Sequence, residues 1–227
     1  MQKEKQVLVI FPHPDDEAFG VSGTISQYIK EGTPVTYACL TLGEMGRNLG
    51  NPPFATRESL PLIRKEELKK AAEVMGITDL RMLGYRDKTL EFENDEELSN
   101  MVTELIEELD PSLIITFYPG FSVHPDHEAT ARAVVRAVRR MPKSARPKLH
   151  CLAFSNDCKQ HLGEPDVTHD IWDVKDQKIQ TMKAHSSQTA WMLPQIEKGI
   201  AAQDPEALKW VTFEHFWTYQ WENDKVE

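Results

Sequence analysis

Short apolar runs alternate with amphipathic stretches along the chain. Five runs have the length and continuous apolar character of buried parallel strands, and they cover 6–12, 35–42, 80–83, 113–118 and 149–154. The clearest helix is predicted over 95–109, where apolar residues recur at helical spacing (Leu98, Met101, Val102, Leu105, Ile106 and Leu109). Further helices are predicted from the loop after Pro12 to Lys30, and over 57–75, 128–141, 174–183 and 195–203, with an aromatic strand over 213–221.

This alternation of strands and helices indicates an α/β fold. We expect one domain over 1–227 with a Rossmann-like, open, mainly parallel sheet and helices on both faces. In such sheets ligands bind beyond the carboxyl ends of the strands, where the strand order reverses. If the order is 3-2-1-4-5, the reversal lies between the first and fourth strands. The two most polar loops follow these two strands, so we expect the functional site there.

Composition and charge narrow the function classes. The net charge of −10, from 26 Lys and Arg against 36 Asp and Glu, disfavours nucleic acid and anionic membrane surfaces as partners. No apolar run approaches the ~20 residues needed to cross a bilayer, and we expect no signal peptide. The three cysteines are odd in number and lack C-x-x-C spacing, which favours reduced thiols in a cytoplasmic protein.

The two polar loops carry the candidate chemistry. The first contains His13-Pro14-Asp15-Asp16-Glu17, and the second contains His124-Pro125-Asp126-His127. Side by side, they would place several carboxylates close together, and a divalent cation would relieve their repulsion. Two imidazoles and one carboxylate with an open position are a common catalytic zinc site, which His13, Asp16 and His127 would form.

The neighbouring residues supply candidates for acyl hydrolysis. Zinc lowers the pKa of a water that it binds to around 7, and Asp15 could take the proton of that water. His124 could stabilise the oxyanion or protonate the leaving group, with Asp126 holding its tautomer.

Two other interpretations of these loops stay open. Asp15 or Asp16 could cap the first helix, and His124 or His127 the later one. The same ligands also form the facial triad of non-haem iron oxygenases, although Asp15 has no clear task in dioxygen activation. Fe²⁺ could also occupy a hydrolase site in the cell.

The two motifs together resemble the LmbE/PIG-L family of zinc-dependent N-acetylglucosaminyl deacetylases. Further matching segments are 41–46 (TLGEMG), Arg57, Arg64 and Glu67, Asp87, and 184–188 (AHSSQ). The length and the segment 118–123 (YPGFSV) most resemble the bacillithiol-pathway deacetylases. The resemblance implies removal of acetyl from N-acetylglucosaminyl malate. It also implies metal binding by His13, Asp16 and His127, with Asp15 as base and His124 beside the oxyanion.

One departure from the family pattern concerns a tyrosine. The mycothiol-pathway relatives carry a mobile tyrosine two residues before the second motif, where this chain has Ser122. Tyr118 lies further upstream, so the role of that tyrosine does not transfer to it. Either His124 acts alone on the oxyanion, or another group takes the place.

Substrate contacts are predicted from the loop after the second strand and from the resemblance. Arg47 and Arg57 should rim the crevice, where a guanidinium suits the carboxylates of a malate. Alternatively, Arg57 and Arg64 belong to a solvated helix face, paired with Glu66 and Glu67. The family pattern implies that Asp87 accepts from sugar hydroxyls, although it could cap a turn. His185 either lines the crevice or lies on the surface.

The expected partner is a small N-acetylated amino sugar, and relatives suggest a homo-oligomer. A deacetylase of chitobiose or of a thiol conjugate would share the site and differ at its rim. A non-haem iron oxygenase would consume O₂, and a non-catalytic sugar-binding module would not need Asp15.

Overall fold

A seven-stranded sheet forms the centre of the computed structural model, which describes residues 2–226. The strands are β1 Val7–Phe11, β2 Val35–Thr41, β3 Asp79–Tyr85, β4 Leu113–Phe117, β5 Lys148–Leu152, β6 Val167–Asp170 and β7 Phe213–Thr218. The α-helices are α1 Asp16–Gly20, α2 Ser22–Lys30, α3 Leu60–Met75, α4 Asp95–Leu109, α5 Pro125–Arg140, α6 Cys158–Leu162, α7 Lys175–Ala184, α8 Ser186–Thr189, α9 Leu193–Ala201 and α10 Pro205–Thr212.

The strand order is β3-β2-β1-β4-β5-β7-β6, which confirms the predicted order of the first five strands. These five strands are parallel, and β7 joins β5 and β6 in antiparallel pairs. The order reverses between β1 and β4, so a crevice opens beyond their carboxyl ends. The pattern missed β6 because three of its four residues are polar and it shows no apolar alternation.

Helices cover both faces of the sheet, as predicted. Val7, Val9 and Phe11 of β1 point to a core shared with α2 and α3, whereas Leu8 and Ile10 point to a core shared with α4 and α5. This alternation follows from the two-residue period of a strand. The three cysteines are free and buried. No helix among residues 2–226 has both the length and the apolar character needed to cross a membrane.

Three differences from the predicted helices concern the helices that follow β1, β2 and β4. The predicted helix up to Lys30 is broken at Val21 into α1 and α2. Helix α3 begins at Leu60, which leaves Arg57 on the preceding loop. Helix α5 begins at Pro125 because proline suits the first helical position, and His124 therefore becomes its N-cap.

Candidate metal and catalytic site

The loops after β1 and β4 meet at the point where the strand order reverses. His13 lies in the turn between β1 and α1, Asp16 is the first residue of α1, and His127 lies in the first turn of α5. The Asp16 carboxylate accepts a hydrogen bond from the His13 backbone N–H at 2.9 Å, which folds the first loop back on itself. The predicted metal ligands therefore converge from two separate parts of the chain.

The three ligand groups have the spacing of a tetrahedral metal site. His13 Nδ1 lies 3.2 Å from His127 Nε2 and 3.5 Å from Asp16 Oδ2, and His127 Nε2 lies 3.3 Å from Asp16 Oδ1. Ligand atoms bonded to zinc at about 2.05 Å in a tetrahedron are about 3.3 Å apart. Two imidazoles and a carboxylate at this spacing fit a divalent cation and leave one position open.

The second nitrogen of His13 faces two carboxylates. His13 Nε2 lies 3.2 Å from Asp87 Oδ1 and 3.2 Å from Asp126 Oδ2. A histidine that binds a metal through one ring nitrogen commonly donates from the other to a carboxylate, which fixes its tautomer. These three side chains also form a cluster that could hold a cation themselves. We interpret Asp87 and Asp126 as groups that orient His13, because its Nδ1 faces the other ligands.

The sequence suggested that Asp126 holds the tautomer of His124, but the Asp126 carboxylate does not contact the His124 ring. Its two oxygens accept hydrogen bonds from the backbone N–H groups of Lys88 and Leu90 at 2.7 and 3.2 Å. Its own backbone N–H donates to His124 Nδ1 at 3.2 Å, the N-cap bond of α5. His124 thus caps the helix and lies beside the ligands, with its ring centroid 4.9 Å from that of His13.

His127 is oriented by two neighbours that the sequence did not indicate. Its Nδ1 lies 3.2 Å from the Ser122 carbonyl oxygen, and its ring stacks on Phe117 with centroids 4.0 Å apart. Ser122 is in turn held by the Glu128 carboxylate, which accepts from both its backbone N–H and its hydroxyl. Ser122 therefore supports a ligand instead of supplying a tyrosine-like group.

Asp15 is held at the cleft in a strained backbone conformation. Its φ of 103° lies in the left-handed region, which L-residues rarely adopt. Its backbone N–H donates to Glu17 Oε2 at 3.1 Å, and its carboxylate Oδ2 accepts from Arg64 Nη2 at 3.0 Å. Strain of this kind persists where the surroundings impose it, and it is frequent at active sites.

Arg64 joins this loop to the one after β2. Its guanidinium also donates to the carbonyl oxygens of Gly43, at 2.9 Å, and Pro14. Gly43 has φ +62°, and a Cβ there would lie 1.8 Å from Arg64 Nη1, so only glycine leaves room for this contact. Arg64 is buried, which excludes the solvated helix face considered for it from the sequence.

The charges of the site shift several pKa values. Burial opposes ionisation of Asp16, but the charges and hydrogen bonds of His127 and His13 lower its pKa well below the usual range. Burial lowers the pKa of His13, but hydrogen bonds to three aspartates raise it well above 6.5 overall. Burial raises the pKa of Asp15 to about 6 against the opposing charge of Arg64. Burial, and the charges of His13 and His127, lower the pKa of His124.

The cleft in front of these groups has a volume of about 410 Å³. Its wall includes His13, Asp15, Asp87 and His124, with Arg47 at the rim, where the sequence predicted it. Arg57 is exposed and donates to the Gly46 carbonyl oxygen, so it supports the rim loop. Asp87 is buried and accepts from the Met45 backbone N–H as well as facing His13.

His185 lies elsewhere than predicted. It is fully buried behind the first loop, and its Nε2 contacts Glu17 Oε1. Glu17 also accepts from the Tyr37 hydroxyl at 2.9 Å. A fully buried imidazole does not reach a ligand in the cleft, so the prediction that His185 lines the crevice is wrong. Among the aromatic residues over 213–221, Phe216, Trp217 and Tyr219 are buried, whereas Phe213 is exposed.

Comparison with known proteins places this geometry in a family. Residues 8–138 match the PIG-L family model, described as GlcNAc-PI de-N-acetylase. A Bacillus cereus protein named "Probable N-acetyl-alpha-D-glucosaminyl L-malate deacetylase 2" is 54% identical, with 96% of this chain and 100% of that protein covered. A Bacillus subtilis protein of the same name is 52% identical, with 96% and 99% covered.

A solved structure shares the fold over nearly the whole chain. N,N'-diacetylchitobiose deacetylase from Pyrococcus horikoshii, complexed with an inhibitor, superposes with a TM-score of 0.71 at 24% identity. The match covers 96% of this chain and 85% of that one. The fold and the two loops define an α/β protein with a candidate metal site. The chain belongs to the PIG-L (LmbE) family of deacetylases.

Proposed function

We propose that this protein is a metal-dependent hydrolase that removes the N-acetyl group from N-acetylglucosaminyl malate in bacillithiol biosynthesis. The observation that carries the chemistry is the tetrahedral spacing of His13, Asp16 and His127 with the Asp15 carboxylate beside them. The substrate is inferred from relatives that are 48–54% identical over almost the whole chain and carry that name.

His13 Nδ1, Asp16 and His127 Nε2 would hold the cation, and we propose zinc because it favours two imidazoles and a carboxylate in a tetrahedron. Bound there, zinc would polarise the amide carbonyl and lower the pKa of a water. Fe²⁺ is the alternative metal, which measured metal content and activity after reconstitution with each ion would separate.

The protein groups then move one proton and stabilise one charge. Asp15 takes a proton from the attacking water while the oxygen of that water bonds to the acetyl carbon. His124 also lines the cleft and donates a hydrogen bond to the oxyanion that forms. When the C–N bond breaks, Asp15 returns the proton to the nitrogen, which leaves as the free amine of the sugar. The other product is acetic acid, which keeps the second proton of the water until it ionises to acetate.

Arg47 is proposed to bind the malate. It is exposed at the rim of the cleft, and a guanidinium can pair with a carboxylate through two hydrogen bonds. A homo-oligomer and a cytoplasmic location remain predictions from the sequence.

The test is the release of free amine from three substrates by the zinc-reconstituted protein. We expect a strong preference for N-acetylglucosaminyl malate over N-acetylglucosamine and diacetylchitobiose. Equal, slow turnover of all three would retain the deacetylase chemistry and contradict the substrate. No amine from any of them, with metal shown to be bound, would contradict the proposed reaction.

A further inference from the structure

The loop 43–50 forms part of the cleft rim and contains no helix or strand, yet its backbone is held by side chains from other elements. Arg64 donates to the Gly43 carbonyl oxygen, and Asp87 accepts from the Met45 N–H. On either side of Arg47, the Gly46 carbonyl accepts from Arg57 and the Asn48 carbonyl accepts from Gln188. The backbone position of Arg47 is therefore fixed from both sides.

Of the two side chains that hold the backbone on either side of Arg47, Arg57 is exposed and Gln188 is buried. The side-chain Nε2 of Gln188 donates to the Asn48 backbone carbonyl oxygen at 2.9 Å, and the backbone carbonyl oxygen of Gln188 accepts from Asn48 Nδ2 at 3.4 Å. The neighbouring Ser187 carbonyl accepts from the Gly50 N–H at 2.9 Å. Three hydrogen bonds thus join the rim loop to one short helix, α8.

Glu67 also holds α8 in place. Its Oε1 accepts from the Ser187 N–H at 2.6 Å and from the Ser186 hydroxyl at 2.9 Å, and its Oε2 accepts from the Ser187 hydroxyl at 2.7 Å. Glu67, Ser187 and Gln188 are all buried. A buried carboxylate that is saturated with donors is a rigid anchor, because breaking any of its bonds leaves a charge poorly solvated.

We propose that Gln188, anchored through Ser187 and Glu67, is a specificity-determining positioning residue that acts through Arg47. It fixes the rim loop so that the Arg47 guanidinium meets an anionic group on the substrate beyond the reacting sugar. This assigns a role to the segment 184–188, whose sequence matches the family pattern but whose side chains do not line the cleft. The inference rests on the proposed function.

The experiment compares wild-type protein with R47A, Q188M and the double variant R47A/Q188M. Methionine has nearly the volume of glutamine but cannot donate to the Asn48 carbonyl. Each protein is assayed with N-acetylglucosaminyl malate and with the methyl glycoside of N-acetylglucosamine, which lacks carboxylates. The readout is the ratio of kcat/KM for the first substrate to kcat/KM for the second.

We expect Q188M to lower this ratio about tenfold, because a weakened charged contact raises KM for the malate glycoside. The double variant should show the loss of R47A alone, because Gln188 acts only through Arg47. Equal losses on both substrates, or losses that multiply in the double variant, would overturn the proposal.

Controls separate this result from misfolding and from failure of the proposed function. Q195M changes an exposed glutamine on α9 and should retain the wild-type ratio. If Q188M does not fold, as judged by circular dichroism, Q188N provides a second variant that is one methylene too short to reach Asn48. A wild-type protein that releases no amine from the malate glycoside would overturn the proposed function before any variant is compared.

Discussion

Arg64 Nη2 lies 3.0 Å from Asp15 Oδ2, and the same guanidinium donates to the carbonyl oxygen of Pro14, the residue before Asp15. One buried side chain therefore holds both the carboxylate of the proposed base and the backbone that gives it a positive φ. The third acceptor is the Gly43 carbonyl, which begins the rim loop. Arg64 thus joins the catalytic loop to the rim loop at the base of the cleft.

Replacing Arg64 with lysine should damage both stability and rate. The R64K ammonium retains the charge but cannot span three acceptors in one plane. We expect the free energy of unfolding to fall by about 2 kcal/mol, because buried carbonyls lose their donor, and kcat to fall because Asp15 is no longer held. Urea unfolding and the amine-release assay measure the two effects.

The matched control is R81K on β3, where Arg81 pairs with Asp79 and Glu108 in a more solvated setting. Such pairs contribute about 0–1 kcal/mol. If R64K and R81K lose the same stability, the structural role given to Arg64 is wrong.

The D15N variant should bind metal and turn over very little substrate. Asparagine retains an oxygen that can accept from Arg64, but it cannot take a proton from water. Loss of a general base costs about 10²–10⁴ in rate. The measurements are metal content by elemental analysis and kcat by amine release, with D79N at the edge strand as the control. A D15N rate within a few-fold of wild type would identify another base.

The D126N variant tests the role given to Asp126. Because its carboxylate faces His13 Nε2 at 3.2 Å, the substitution should weaken metal binding about 10–100-fold. A chelator competition assay gives this affinity, and activity at saturating metal gives the remaining effect. Unchanged metal affinity would contradict the role given to the Asp126 carboxylate in orienting His13.

The sequence predicted the site residues that lie in the two loops after β1 and β4. Asp15 and Asp16 stand beside His13, and the alternation of strands and helices located both loops at the point where the strand order reverses. It could not predict contacts made only by packing, such as Arg64 with Asp15 or His185 with Glu17, which are 49 and 168 residues apart. The same limit explains the error for His185, because nothing local shows that α7 and α8 pack behind the first loop.

A buried histidine far from the cleft should make the protein less stable in acid. His169 Nδ1 lies 3.0 Å from the Thr24 hydroxyl, and its ring lies near those of Phe216 and His150. Burial, with a smaller contribution from the charge of His150, lowers the pKa of His169 to about 4.

In the unfolded chain a histidine has a pKa of about 6.5. The unfolded state therefore takes up a proton at a higher pH than the folded state does. The contribution of neutral His169 to the free energy of unfolding is therefore full above pH 6.5. It is lost as the pH falls towards 4, because only the unfolded state takes up the proton in this pH range. At pH 4.5 the loss from this one group should be about 2 kcal/mol.

Replacing His169 with asparagine removes this titration while leaving a polar group near Thr24. Between pH 7 and 4.5, H169N should lose about 2 kcal/mol less stability than wild type, as measured by urea unfolding at each pH. H161N, which changes a histidine whose side chain is 60% exposed, is the surface control. Burial also lowers the pKa of His150, so His150 reduces the free energy of unfolding in acid in all three proteins. The difference between H169N and wild type therefore isolates His169, and equal slopes for these two proteins would show that His169 is not kept neutral by the fold.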